Sequence, residues 1–286
     1  LLCVFSVLLL LRKHTASKWI ILFITTVELF RFGWKYTTFS PQYMIYPKTE
    51  ITNFLENDSS VFRVDKEKAE LLPPNTWAAY GLQSPSGYDP MAILDYIKTY
   101  SADLNGESNP GISRYSELRR YDAEALGKYN VKYLLAVKRD KNGEIPGDNI
   151  NYKIDEKEWK RVFETDAVAV LLNAKYKERA RIVDGEGNEA KGTAKIVSYE
   201  NDKVVIDFTN TDGEKLLLAD TYYPGWKATI NVKETKIGSE VRPFRTVDIG
   251  GVKSGEVVFE YKPDSFRYGL IISGISVVAW LVWILI

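Results

Sequence analysis

The sequence predicts a membrane-anchored α+β fold, in which transmembrane helices at both ends flank an extracytoplasmic α/β module and an antiparallel β-sandwich. Three observations carry that prediction. Of the 38 Lys and Arg residues only Arg12, Lys13, Lys18 and Arg267 lie outside positions 31–266, and of the 38 acids only Glu28 does, so the ends are oily and the middle is wet. The last nineteen residues, Tyr268 to Ile286, carry no charge. Between Asn173 and Pro263, short alternating apolar runs recur with polar turns between them.

In chain order, residues 1–34 predict two membrane helices. Leu1 to Leu11 is too short to span, and Arg12 and Lys13 follow the apolar run, the reverse of a secretory signal. The expectation is a first helix truncated at Leu1 and a second from Trp19 to Trp34, joined by a loop that carries Arg12, Lys13 and Lys18 but no acid. By the positive-inside rule that loop is cytoplasmic, which places residues from about 36 to 264 outside the cytoplasm in a multi-pass protein of the cell membrane. Glu28 is the intramembrane candidate. A carboxylate at a helix centre costs ~2.5–3.5 kcal/mol on the insertion scale, and Arg31 offers it a partner on the same face.

Residues 35–175 mix helix and strand signals, as expected of an α/β module. SVFRVD alternates as a strand, Leu72-Pro73-Pro74-Asn75 is loop chemistry, and NTWAAYGLQSPSGYDPM reads as a strand leading into an ordered loop. Asp89-Pro90 opens a helix MAILDYIKTY, because Pro in the first turn loses no needed N–H. SELRRYDAEALGKY predicts a second helix capped by Asn130, VKYLLAV a strand, and WKRVFET with DAVAVLLN a strand pair. Residues 176–265 read as β throughout: TAKIVSYE, KVVIDFTN, KLLLADTY, WKATINV, RTVDIG and EVVFEYK have the length and spacing of a juxtamembrane sandwich. Residues 266–286 form the closing helix. At ~1.5 Å per residue its uncharged part reaches about 28 Å, close to the ~30 Å of a hydrocarbon core.

The composition excludes several chemistries. With one Cys (Cys3) and one His (His14), both near the N-terminus, the middle region has no disulfide framework, Cys/His zinc site, Cys–His couple or Ser–His–Asp triad, and no metal ligands are assigned. A formal net charge of zero gives no electrostatic case for nucleic acid. GEGNEAKG at 185–192 lacks the strand–helix context of a phosphate loop and reads as a polar hairpin turn, and Lys138 to Gly143 reads as a solvated turn.

Several phrases together resemble one family, the bacterial YfhO-type multi-pass membrane proteins related to GT-C glycosyltransferases. They are ADTYYPGWKATI (Ala219 to Ile230), PFRTVDI, GEVVFEYKPDSFRYGLIIS, GYDP at 87–90, NVKYLLAV at 130–137 and the strand pair ending in LLN at 171–173. The sequence departs from the family at Asn231-Val232-Lys233, where an Asp/Asn-Gly-Lys hairpin is common, and at Glu178-Arg179-Ala180, where Pro-Arg-Ala is usual. The resemblance implies transfer of a sugar from a polyprenyl-phosphate donor to an envelope acceptor such as teichoic acid. It also implies that the essential carboxylate belongs to an upstream transmembrane region, so the chain is a C-terminal fragment with the lipid bilayer and that region as partners and no cofactor of its own.

The ligand-binding candidates are Tyr88 and Asp89 in the GYDP loop, and Tyr222, Tyr223, Trp226 and Lys227 in the YYPGWK block, which offer stacking faces and a cation suited to a sugar ring or an anionic polymer. Each has a structural alternative: Asp89 as a helix cap, Trp226 and Tyr222 as core plugs or interfacial anchors. No catalytic residue is assigned. A non-catalytic envelope-glycan-binding domain, or a membrane-tethered scaffold or sensor, are the other functions the sequence accommodates.

Overall fold

The computed structural model describes residues 15–36, 40–107, 114–210 and 212–285. The apolar run at 1–11, Cys3 and His14 lie outside the described residues, and so does the expected first membrane helix. The chain divides into two units, Leu1–Lys48 and Thr49–Ile286. In the first, helix α1 runs Thr15–Tyr36 and a 3-10 turn follows at Gln42–Met44. At 22 residues α1 is long enough to span, but Lys18, Glu28, Arg31 and Lys35 dilute it. Among the described helices only the C-terminal one, at Asp264–Ile284, is both long enough and apolar enough to cross a membrane.

The second unit is mixed α+β and mostly sheet. Helix α2 (Glu50–Glu56) begins with a capping box in which Thr49 and Thr52 satisfy each other's backbone N–H. Strand β1 (Arg63–Lys66) follows, then 3-10 turns at Ala69–Leu71 and Thr76–Tyr80, the short strand β2 (Gly87–Tyr88), helix α3 (Leu94–Tyr100) with a π-turn to Asn105, strand β3 (Tyr115–Ser116) and helix α4 (Ala123–Lys128). Three expectations are corrected here. Thr76–Tyr80 is a 3-10 turn and not a strand, with Asn75 and Gly81 at its two ends in the left-handed region. The helix expected from Met91 starts at Leu94, because the Asp89 carboxylate holds residues 89–92 in a turn of their own. The helix expected from Ser116 starts only at Ala123, since Tyr115–Ser116 pairs with β2 and Asp122 supplies the N-cap.

Strands β4 (Val131–Val137), β5 (Trp159–Glu164) and β6 (Val168–Asn173) join β1 in the order β1-β4-β6-β5, with β1 parallel to β4 and the rest antiparallel. β4 is buried on both faces, which is why it reads as a nearly continuous apolar run. Leu134 and Ala136 face one core, Tyr133 and Leu135 the other.

The remaining strands are β7 (Ala180–Val183), β8 (Gly192–Tyr199), β9 (Lys203–Asn210), β10 (Lys215–Thr221), β11 (Trp226–Ile230), β12 (Lys233–Thr235), β13 (Ile237–Gly238), β14 (Phe244–Asp248) and β15 (Ser254–Tyr261). They form two antiparallel sheets, β13-β14-β10-β7 and β12-β11-β15-β9-β8. Leu216 and Leu218 of β10 pack with Ile206, Val257 and Phe259 of the facing sheet. The intervening Leu217 and Ala219 join Tyr100, Leu126, Tyr129 and Leu134 in a core shared with the N-terminal sheet and its helices. Period-2 alternation thus gives β10 two different cores, and burying each leucine contributes about 1.5–3 kcal/mol. Helix α5 (Asp264–Leu285) leaves the end of β15 directly.

Candidate functional site

The GYDP loop is built onto the fold by short, specific contacts. Asn75, at φ 68°, donates from Nδ2 to the Tyr88 carbonyl at 2.7 Å and accepts the Tyr88 N–H at 3.2 Å. Gly87 permits that approach: a Cβ there would stand 3.0 Å from Asn75 Oδ1 and 3.1 Å from the Trp77 ring. The Tyr88 and Tyr115 rings meet across β2 and β3 at 4.8 Å. Under this ribbon lies a cleft of about 660 Å³, lined by Trp77, Tyr88 and Tyr96, by the polar side chains of Asn75, Ser84, Ser86, Asp89, Ser116 and Thr221, and by Arg63. The size and the mixture of ring faces with hydrogen-bonding groups are those of a small-ligand or sugar site.

Trp77 and Ser86 of this lining contact a buried polar chain whose other members, Asp65 and Lys66, line a neighbouring pocket. Lys66 Nζ lies 4.5 Å from the Trp77 ring centroid and donates to Ser86 Oγ at 2.9 Å; Ser86 Oγ donates to Asp65 Oδ1 at 2.7 Å. Burial pushes the Asp65 carboxyl up and the Lys66 ammonium down, each opposed by the other's charge. Burial likewise raises the Tyr96 phenol to about 12, so it stays a hydrogen-bond donor, here to the Pro85 carbonyl.

Behind the Arg63 wall sits a concentration of buried charge. Asp220, at the end of β10, is approached by Arg63 Nη2 at 3.2 Å, Arg245 Nη2 at 3.2 Å and Arg179 Nη1 at 3.6 Å, and accepts the Tyr199 hydroxyl at 3.0 Å. Burial would raise its pKa, but the three guanidiniums and Tyr199 together outweigh burial and hold the carboxyl below its ordinary range. Arg63 also donates to the Tyr129 and Ala219 carbonyls, Arg179 donates to Gln83, and Arg245 stacks 3.8 Å from the Trp226 ring centroid. Three cations against one anion leave two positive charges in excess. Arg179 Nε and Arg245 Nε and Nη1 are buried without hydrogen-bond partners. Such an excess biases the adjoining cleft towards anionic groups.

The structure brings Tyr88 and Asp89 together in the cleft wall. Asp89 is exposed, and its Oδ1 accepts the Met91 N–H at 2.8 Å. Tyr222, Tyr223, Trp226 and Lys227 lie outside the cleft lining, although Thr221, the residue before them, belongs to it. The Trp226 ring is 5.4 Å and the Tyr223 ring 6.5 Å from Tyr261, and Lys227 pairs with Asp264 at 3.2 Å, so that block ties β11 to the start of α5. Glu28, in α1, pairs with Arg31 at 3.4 Å. The GEGNEAKG segment forms a turn in which Asp184 Oδ1 accepts the N–H groups of Glu186 and Asn188. At 138–143 the solvated reading is corrected in part. Asp140 organises a turn, but Lys138 is buried and Arg139 pairs with Glu67 at 2.9 Å.

Sequence reasoning did not single out Arg63, Asn75, Trp77, Tyr96, Arg179, Asp220 or Arg245. The local signal for two of them was the left-handed tolerance of Asn75 and the aromatic Trp77 two residues on; for the charged ones there was none, because their meeting depends on pairing between strands distant in sequence. Among the described residues no group of three or more His, Cys, Asp and Glu side chains stands close enough to hold a metal ion. No family model, no curated protein and no solved structure matches the chain.

Proposed function

We propose that this chain is the extracytoplasmic domain, with its membrane helices, of a YfhO-like glycosyltransferase that moves a sugar from a polyprenyl-phosphate donor to a cell-envelope polymer such as teichoic acid. α5 anchors it, α1 is a further span, and residues from about 36 to 264 face outwards. The cleft under the GYDP loop holds the acceptor. The observation that carries this reading is the cleft itself, in which three aromatic rings stand beside hydrogen-bonding side chains and Arg63, backed by excess positive charge. Rings stack on sugar faces, and the arginine end attracts the phosphate of an anionic polymer.

Asp89 is the only carboxylate among the described residues lining the cleft, so a pair of acids for glycosidic chemistry is not present there. That favours binding over bond-making at this site. It also supports a second reading, in which the chain is a non-catalytic envelope-glycan-binding domain. Calorimetry of the full chain in nanodiscs with a polyol-phosphate oligomer tests the shared part: saturable binding is expected, weakened roughly tenfold in Tyr88→Ala, and no binding sinks both readings. Envelope sugar content in cells carrying Tyr88→Ala separates them, falling if the cleft serves transfer and holding steady if it only binds.

A further inference from the structure

We propose that the loop Tyr222–Gly225 and the rings beside it lie in the headgroup layer of the bilayer, so that the end of the five-stranded sheet where β11 begins and β15 finishes docks on the membrane surface. This rests on α5 crossing the membrane. The apolar stretch of α5 starts almost at its first turn: Phe266, Tyr268 and Leu270 are all well exposed. The loop is fastened within that same distance. Lys262 N–H donates to the Gly225 carbonyl at 2.9 Å, Lys227 pairs with Asp264 at 3.2 Å, and a Cβ at Gly225 would stand 3.0 Å from Pro263. A polar layer of roughly 5–8 Å flanks each side of the hydrocarbon core, and Phe266 lies only about 3 Å of helix rise beyond Asp264, so groups fastened to Pro263 and Asp264 fall within that layer.

Tyr222 and Tyr223 are 38% and 46% exposed there, and Trp226 and Tyr261 stack beside them. Amphipathic rings at this depth are interfacial anchors. The charges of these segments balance: Lys227 pairs with Asp264 and Lys262 with Glu260 at 2.7 Å, while Arg267 and Lys203 equal in number Glu200 and Asp202 of the β8–β9 turn, whose Asp202 carbonyl accepts the Tyr261 N–H at 2.7 Å. The partner is therefore the headgroup–acyl boundary of a bilayer, engaged by rings and not by net charge.

The test uses the full chain with Cys3→Ser, reconstituted in phosphatidylcholine vesicles. A fluorophore at Tyr223→Cys is compared with one at Val232→Cys, an exposed hairpin tip at the far end of β11. Tyr222→Cys is read in parallel, so that loss of the Tyr223 ring contact does not decide the result. With lipids spin-labelled near the headgroup, quenching at 222 and 223 is expected to exceed that at 232 at least twofold. Quenching at both tyrosine positions no greater than at 232, in protein that floats with the vesicles, overturns the proposal and leaves the anchor standing. Protein that fails to float overturns the anchor and the proposal with it.

Discussion

The loop at Ser84–Pro90 and the loop at Tyr222–Trp226 draw on the same residue types, Tyr, Pro and Gly with a charged neighbour, yet their surroundings give them opposite work. In the first, Asn75 grips the backbone and leaves the rings of Trp77, Tyr88 and Tyr96 along an open cleft. In the second, the rings are turned onto Tyr261 and Arg245, and the backbone is hydrogen-bonded to the segment that becomes α5. Composition made both look like ligand platforms. What separates them is that the first loop's rings line a cleft and the second loop's do not, and that depends on which strand end each loop is pinned to.

Asp220 lies where the two meet, with Thr221 in the cleft and Tyr222 opening the second loop. Asp220→Ala leaves three guanidiniums buried without their anion, and breaking a buried pair costs about 3–5 kcal/mol. In a unit of this size that lowers Tm by on the order of 10 °C, readable by thermal unfolding in nanodiscs, and ligand binding should fall with it. A change of only a degree or two would show that the cluster holds neither loop. The pH dependence has a definite sign. Asp220 titrates lower folded than unfolded, so its contribution is complete above the ordinary carboxylate range of ~4 and is lost as pH falls through the folded value. Asp58 adds in the same direction: Lys132, Ser60 and Tyr133 outweigh burial and hold it at about 2. Asp220→Asn should flatten the acid limb of stability below the ordinary carboxylate range.

The two loop glycines separate the roles at smaller cost. Gly225 has φ 105°, and a Cβ there would meet Tyr261 at 2.9 Å and Pro263 at 3.0 Å. Gly225→Ala should therefore destabilise by at least about 1 kcal/mol, seen as a lower Tm, with ligand affinity unchanged. Gly87→Ala should do the reverse, pushing Asn75 and Trp77 apart and weakening binding more than it lowers Tm. If both variants behave alike in both measurements, the contrast between clamp and cleft is lost.

Smaller again is the ring term itself. Tyr88→Ala removes a half-buried ring from the cleft wall and should cost about 1–1.5 kcal/mol of binding, roughly tenfold in calorimetric affinity, while Tyr223→Ala leaves affinity within twofold. Equal losses would return Tyr223 to the ligand.

Much of the β-rich unit was legible because alternation is local: KVVIDFTN, EVVFEYK and the pair WKRVFET and DAVAVLLN became β9, β15, β5 and β6 nearly as read. Helix lengths were overestimated where a side chain reorganised the first turn, Asp89 before α3 and the Ser116 pairing before α4. The site was half legible. Tyr88 and Asp89 announce themselves in a Gly-Tyr-Asp-Pro turn, whereas Arg179, Asp220 and Arg245 meet only through the β7-β10-β14 register, at separations no local pattern encodes. Of the phrases that carry the resemblance, ADTYYPGWKATI nonetheless contains Asp220 and PFRTVDI contains Arg245, while Arg179 lies in Glu178-Arg179-Ala180, where the sequence departs from the family. Their common content in this fold is one buried ion cluster.

The smallest expected effect discriminates most finely. Asp89 is exposed, and one carboxylate oxygen accepts the Met91 N–H at 2.8 Å, a bond that an Asn side-chain oxygen makes equally well. If Asp89 serves the cleft only by shaping its rim, Asp89→Asn should leave both Tm and ligand affinity within about 0.5 kcal/mol of the parent, whereas Asp89→Ala loses the turn bond and about 1 kcal/mol. A carboxylate that accepts hydrogen bonds from sugar hydroxyls would instead lose affinity on amidation while Tm stays fixed, since the amide offers one acceptor in place of two. For a phosphate-bearing acceptor the amide should bind slightly tighter, because a negative charge leaves the rim of a cleft that Arg63 also lines. The sign of that small change therefore reports whether Asp89 faces a hydroxyl-rich or an anionic part of the ligand.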